Sequence, residues 1–147
     1  RQPASGDRRR WDDESFFREA RASITEGYEA VAKLYDFSRA EADTISWGRG
    51  AMKGSFSPKF HQVSRKSVYT VKTDGSLYFH FGWLGDSPQT VEWTTTLLER
   101  LKKIPGLRSA LPDSTQSKWH KLPIQVWADK VDEIINVLRE LLKRKEE

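Results

Sequence analysis

Asp74-Gly75 limits what this chain can fold into more than any other pair of residues. It separates two runs rich in β-branched and aromatic residues, 66–73 (KSVYTVKT) and 76–84 (SLYFHFGWL). Asp-Gly is favoured in two-residue hairpin turns because both positions there take positive φ. Strands joined by so short a turn run antiparallel, which excludes the parallel array of a nucleotide-binding α/β fold. If Thr73 faces Ser76, then Leu77, Phe79, Phe81 and Trp83 share the core face with Val68 and Thr70. Tyr78 and His80 then share the other face with Tyr69 and Val71.

Upstream, 44–48 (TISWG) reads as a short strand, and Gly48, Gly50 and Gly54 punctuate the loop before a second strand at 55–61 (SFSPKFH). Pro58 cannot donate a ladder hydrogen bond, so it predicts an edge strand or a bulge. Helical periodicity lies on both sides. Asp12 or Asp13 caps a helix carrying Phe16, Phe17 and Ala20, and Thr25 is the expected cap of a second with Tyr28, Val31, Leu34 and Tyr35. After the hairpin, Ser87-Pro88 opens a helix whose buried stripe runs through Val91, Thr94, Leu97, Leu98, Leu101 and Ile104, and Pro105-Gly106 stops it. A short strand is expected at 119–122. From Ala128 or Asp129 onward, Val131, Ile134, Ile135, Leu138, Leu141 and Leu142 repeat at helical spacing.

The predicted fold is therefore α+β, a small antiparallel sheet of three to five strands with helices packed on one side, in the order α-α-β-β-β-β-α-α. The 147 residues suffice for one hydrophobic core. Residues 1–10 (RQPASGDRRR) read as a flexible linker or tail, and 11–147 as a single domain. Six Trp, seven Phe and four Tyr supply the buried area that a modest aliphatic content does not. The chain has no Cys, which excludes disulfides and thiolate zinc sites and fits a reducing cytoplasm. No window is long and apolar enough for a membrane helix, and no apolar signal region opens the chain.

Charge is the unusual feature. Between Thr44 and Thr73 lie Arg49, Lys53, Lys59, Arg65, Lys66 and Lys72, and no Asp or Glu. Such a segment attracts phosphates, and Trp47, Phe60, Tyr69 and Tyr78 are interleaved as candidates for stacking or for packing support. Basic residues also keep sheet edges soluble, so this reading competes with a purely structural one. The run 48–55 (GRGAMKGS) lacks P-loop spacing and leads into a strand, which makes its glycines turn residues first and an anion nest second.

Catalytic constellations are not found. His61, His80 and His120 occupy separate segments without metal-ligand spacing. A metal-independent nuclease would need His61, His80 and Lys59 to converge. The acids cluster in helices, away from any strand end where magnesium chemistry would need them. No Gly-x-Ser-x-Gly elbow occurs. Neither a cofactor nor a metal is expected from these residues.

The segments 10–17 (RWDDESFF) and 47–58 (WGRGAMKGSFSP), with the hairpin at 68–84, resemble a bacterial domain family. Its sequences open RWDEESFF-like and carry WGxG, GSF and P before a hairpin ending in an aromatic-rich strand. The resemblance spans nearly the whole ordered chain. It implies a domain found alone or as a C-terminal addition, in some cases near restriction or other DNA-handling systems, with basic residues at the positions of Arg49 and Lys53. No catalytic residue follows from it.

Together these readings point to a non-catalytic accessory domain of a larger intracellular protein that contacts DNA or RNA phosphates through a basic sheet and glycine-rich loop. The alternative is a protein-interaction or regulatory module, bound to a partner or to an enzyme domain of its parent chain through exposed Trp93, Trp119 or Trp127. No membrane partner is expected.

Overall fold

The computed structural model describes residues 11–48, 54–82, 84, 87–114 and 120–142. Two helices, α1 (Asp13–Ser23) and α2 (Tyr28–Glu41), precede four strands: β1 (Thr44–Trp47), β2 (Ser55–Lys59), β3 (Tyr69–Lys72) and β4 (Leu77–Phe79). Helix α3 (Pro88–Lys102) follows, then β5 (His120–Leu122), the short α4 (Ile124–Trp127) and α5 (Val131–Leu142). The strands form one antiparallel sheet in the order β1-β2-β3-β4-β5. This is the α+β architecture expected, with helices before and after the strands and the short strand near 119–122 added as β5. Among the described residues, no helix is long and apolar enough to cross a membrane.

Local chemistry explains the helix starts. Asp12 caps α1 in a reciprocal box with Ser15, and Ser87 caps α3 in the same way with Thr90. Helix α2 starts from Gly27 rather than the expected Thr25. Gly27 has φ +97°, and a Cβ there would lie 2.7 Å from Ile124 Cγ1. The close approach of α4 therefore selects glycine at this cap. Val91, expected in the α3 stripe, is 43% exposed and Thr90 is buried in its place, while Thr94 is buried as expected.

One face of the sheet is the core. Phe56 packs against Phe16 and Tyr35 at ring separations of 5.2 Å each, which ties β2 to α1 and α2. Farther along the sheet, Tyr69, Val71, Leu77, Phe79 and Leu122 are fully buried beneath the helices. The Ser38 hydroxyl of α2 lies 2.6 Å from the Tyr69 hydroxyl.

The hairpin corrects the predicted facing. Tyr69 pairs with Phe79, Thr70 with Tyr78 and Val71 with Leu77. The loop is thus three residues, 73–75. Lys72 N–H donates to Ser76 O at 3.0 Å, Gly75 N–H to Lys72 O at 2.8 Å, and Asp74 Oδ1 accepts from Ser76 N–H at 2.9 Å. One extra loop residue shifts the register by one, so Tyr69 and Val71 face the core while Thr70 faces away. Val68 is buried as well, because the pairing changes phase there. Phe56 opposes Val71, but Lys59 opposes Ser67. Three residues on β2 span four on the β3 side, which is a bulge. Pro58 sits at it, as one of the two expectations for that residue required.

Candidate functional site

The other sheet face is polar and basic. Alternation away from the buried positions places Ser46 on β1, Ser55, Ser57 and Lys59 on β2, Thr70 and Lys72 on β3, Tyr78 and His80 on β4 and its continuation, and Lys121 on β5. Ser46 pairs with Ser57, Thr70 with Tyr78 and Tyr78 with Lys121, so these side chains run as a row across the sheet. Among the described residues, no strand contains an Asp or Glu, and Lys59, Lys72 and Lys121 have no carboxylate partner. Lys72 Nζ rests 5.1 Å above the centre of the Tyr78 ring, so the cation stays at the face without a counter-ion.

A directed hydrogen-bond chain runs beneath these lysines. His80 is only 5% exposed. Burial pushes its imidazole below the ordinary value, while the bond to Ser67 acts the other way. The neutral ring carries one N–H. His80 Nδ1 lies 2.9 Å from the Ser67 carbonyl oxygen, which can only accept, so the proton is on Nδ1. Nε2 is then an acceptor, and Thr70 Oγ1 donates to it at 2.9 Å. With its proton so used, Thr70 accepts from Ser57 Oγ at 2.6 Å. Ser57, Thr70, His80 and Ser67 thus form one chain with a single sense. Thr70, Lys72, Tyr78 and His80 enclose a hollow of about 250 Å³ at its surface end.

The sequence-predicted residues divide. Lys59, Lys72 and Tyr78 share the open face, with Lys72 beside Ser55 at one end of β2 and Lys59 opposite Ser67 at the other. Exposed Arg65 and half-buried Lys66 lie in the connection leading from β2 to β3. Arg49 and Lys53 fall outside the described residues. Two aromatic assignments are corrected. Tyr69 is 0% exposed and Phe60 1% exposed, so neither ring can stack on a ligand. Trp47 is half-buried and leans on Phe16, Tyr35 and Phe56, which places it on the helix side. Ser57, Thr70 and Lys121 join the face unforeseen. Lys121 belongs to a strand of three residues, and Ser57 and Thr70 could be matched only with the register in hand.

The histidines do not converge. His120 pairs with Phe79 and therefore points to the helix side, where its Nε2 bonds the Ala110 carbonyl. His61 is exposed beyond β2, and its backbone N–H is held by Asp43 at 2.7 Å. Among the described residues, no three His, Asp or Glu side chains form a metal-binding group. The aromatic surface of the protein-interaction reading is also reduced. Trp127 is fully buried, Trp93 is half-buried with its indole N–H on Leu141 O, and Trp119 lies outside the described residues. Val91 is the one exposed large hydrophobic residue among those described.

A groove of about 560 Å³ lies between α2 and α4–α5 and carries Glu26, Glu29, Asp129 and Asp132 with Lys33. Its carboxylates disfavour anions, whereas the strands of the open sheet face carry no carboxylate among the described residues. Comparison with family models, with curated proteins and with solved structures finds no match to this chain.

Proposed function

We propose that this domain is a non-catalytic recognition module of a larger intracellular protein and that its open sheet face binds nucleic-acid phosphates. The observation that carries this reading is the register-aligned face on which Lys59, Lys72 and Lys121 stand among hydroxyls with no carboxylate partner among the described residues. Three unneutralised lysines on one face concentrate positive potential, and serine and threonine hydroxyls donate to phosphate oxygens without regard to base sequence. Tyr78, the one aromatic ring of the strands on this face among the described residues, offers a stacking platform beside these phosphate contacts. The resemblance to a domain found near DNA-handling systems accords with this reading.

The test is fluorescence anisotropy of labelled single- and double-stranded DNA and RNA across a salt series. Each phosphate neutralised contributes about −0.9 to the slope of log K against log salt on B-DNA and about −0.7 on single strands. Lys59→Glu, Lys72→Glu and Lys121→Glu each reduce that slope by about one contact or more. A charge-reversed protein that folds and binds as tightly as the parent overturns the assignment of the face.

A further inference from the structure

We propose that the hollow bounded by Thr70, Lys72, Tyr78 and His80 is a phosphate subsite whose occupation is coupled to uptake of one proton by His80 Nε2. The inference rests on the phosphate-binding reading of the face and names the place on it where one phosphate group seats. The hollow holds about 250 Å³, against a water's share of liquid volume of about 30 Å³. Lys72 and Tyr78 line it, with the Lys72 ammonium held over the Tyr78 ring, and Thr70 Oγ1 links its wall to the buried imidazole.

The proton coupling follows from the sense of the chain. In the free protein the Thr70 hydroxyl points inward, because Nε2 accepts its proton. An anion in the hollow wants that same proton. If Thr70 turns outward to donate to the anion, Nε2 loses its donor in a buried position, which is costly. A proton from solvent repairs this. Protonated Nε2–H then donates to Thr70 Oγ1, Thr70 O–H donates to the anion, and Nδ1–H keeps its bond to the Ser67 carbonyl. Ser57 continues to donate to Thr70 Oγ1. Every group in the chain remains satisfied, and no covalent bond changes.

Burial gives the coupling its direction, and the charged and titratable groups on the elements about His80 are these. Lys72 comes from β3, Tyr78 from β4 and Lys59 from β2 opposite Ser67, with Arg65 and Lys66 in the connection before Ser67. Among the described residues, no carboxylate stands on the strands packed about it. Burial disfavours the imidazolium while the hollow is empty, and a phosphate there supplies a counter-charge.

The experiment observes the His80 imidazole nitrogens of the unmodified protein by nuclear magnetic resonance, with inorganic phosphate and separately with a single-stranded oligonucleotide. The expected result is one N–H in the free protein at neutral pH and two in the complex. Oligonucleotide affinity then falls about tenfold per unit rise in pH over the range where one proton is taken up. His80→Gln, checked for folding by circular dichroism, removes this pH slope and leaves the salt dependence.

If the oligonucleotide binds while His80 stays singly protonated in both titrations, the subsite is overturned and the nucleic-acid reading stands. If inorganic phosphate protonates His80 but no oligonucleotide binds, the subsite stands and the nucleic-acid reading falls. If neither ligand binds, both are overturned.

Discussion

The Trp127 indole N–H donates to the Gly75 carbonyl oxygen at 2.8 Å, and both residues are buried. This bond fastens the end of α4 to the hairpin turn, 52 residues earlier in the chain. Trp127→Phe keeps most of the apolar surface but leaves a buried carbonyl without a partner, a loss of about 1–3 kcal/mol. Urea denaturation should show a lower midpoint with unchanged slope, since the core remains cooperative. An unchanged midpoint would mean that the turn finds another donor.

Tyr69 and Ser38 form a second buried link between sheet and helix. Ser38 Oγ donates to Leu34 O at 2.8 Å, so it accepts from the Tyr69 hydroxyl. Tyr69→Phe removes the donor and leaves Ser38 satisfied, which costs about 1 kcal/mol. Burial pushes the Tyr69 phenol well above its ordinary value, and the Ser38 bond acts in the opposite sense. Above about pH 10 the unfolded phenol ionises while the folded one keeps its proton. The folded state then binds more protons, and stability present below pH 10 is lost as pH rises. Urea midpoints at pH 9 and pH 11 should fall more steeply for the parent than for Tyr69→Phe.

His80 acts at the other end of the scale. Its folded ionisation lies below the ordinary value of about 6.5, because burial disfavours the charged ring. As pH falls through that value, the unfolded chain takes up the proton first, so the stability that neutral His80 contributes near pH 7 is lost on acidification. His80→Gln should flatten the decline between pH 7 and pH 5 in the absence of ligand. Phosphate should flatten it too in the parent protein, because it stabilises the folded imidazolium. Parallel declines for parent and variant would show that other groups control acid stability.

Much of the fold could be read from residues close together in sequence. Asp12 with Ser15 and Ser87 with Pro88 mark their helix starts by local hydrogen bonding, and the spacing of Val131, Ile134, Ile135 and Leu138 marks α5. The faces of the hairpin were not legible, because Asp74-Gly75 serves a three-residue loop as well as a two-residue one and the difference reverses Tyr69 and Thr70. The bulge between Pro58 and Val68 reverses phase a second time, which lets Val68 and Tyr69 both be buried. The open face was therefore half visible. Lys59 and Lys72 followed from charge patterning, but Lys121 lay outside the basic segment, and Ser57, Thr70 and His80 meet only through long-range pairing that no local spacing encodes.

Gly54 tests how far the glycine-rich segment is structural. A Cβ on Gly54 would stand 2.5 Å from Cδ2 and Cε3 of Trp11, a distance that no packed carbon pair occupies. Trp11 is 1% exposed and the Gly54 carbonyl accepts from Thr73 N–H at 3.1 Å, so neither partner can retreat without opening the core or the sheet. Gly54→Ala should cost about 1–3 kcal/mol through overpacking, read as a lower thermal midpoint with a change in tryptophan emission. Affinity for oligonucleotide, measured well below that midpoint, should stay within about twofold of the parent, since RT ln 2 is small against one lost phosphate contact. A tenfold loss of affinity in a folded Gly54→Ala protein would instead make this backbone position part of the binding surface.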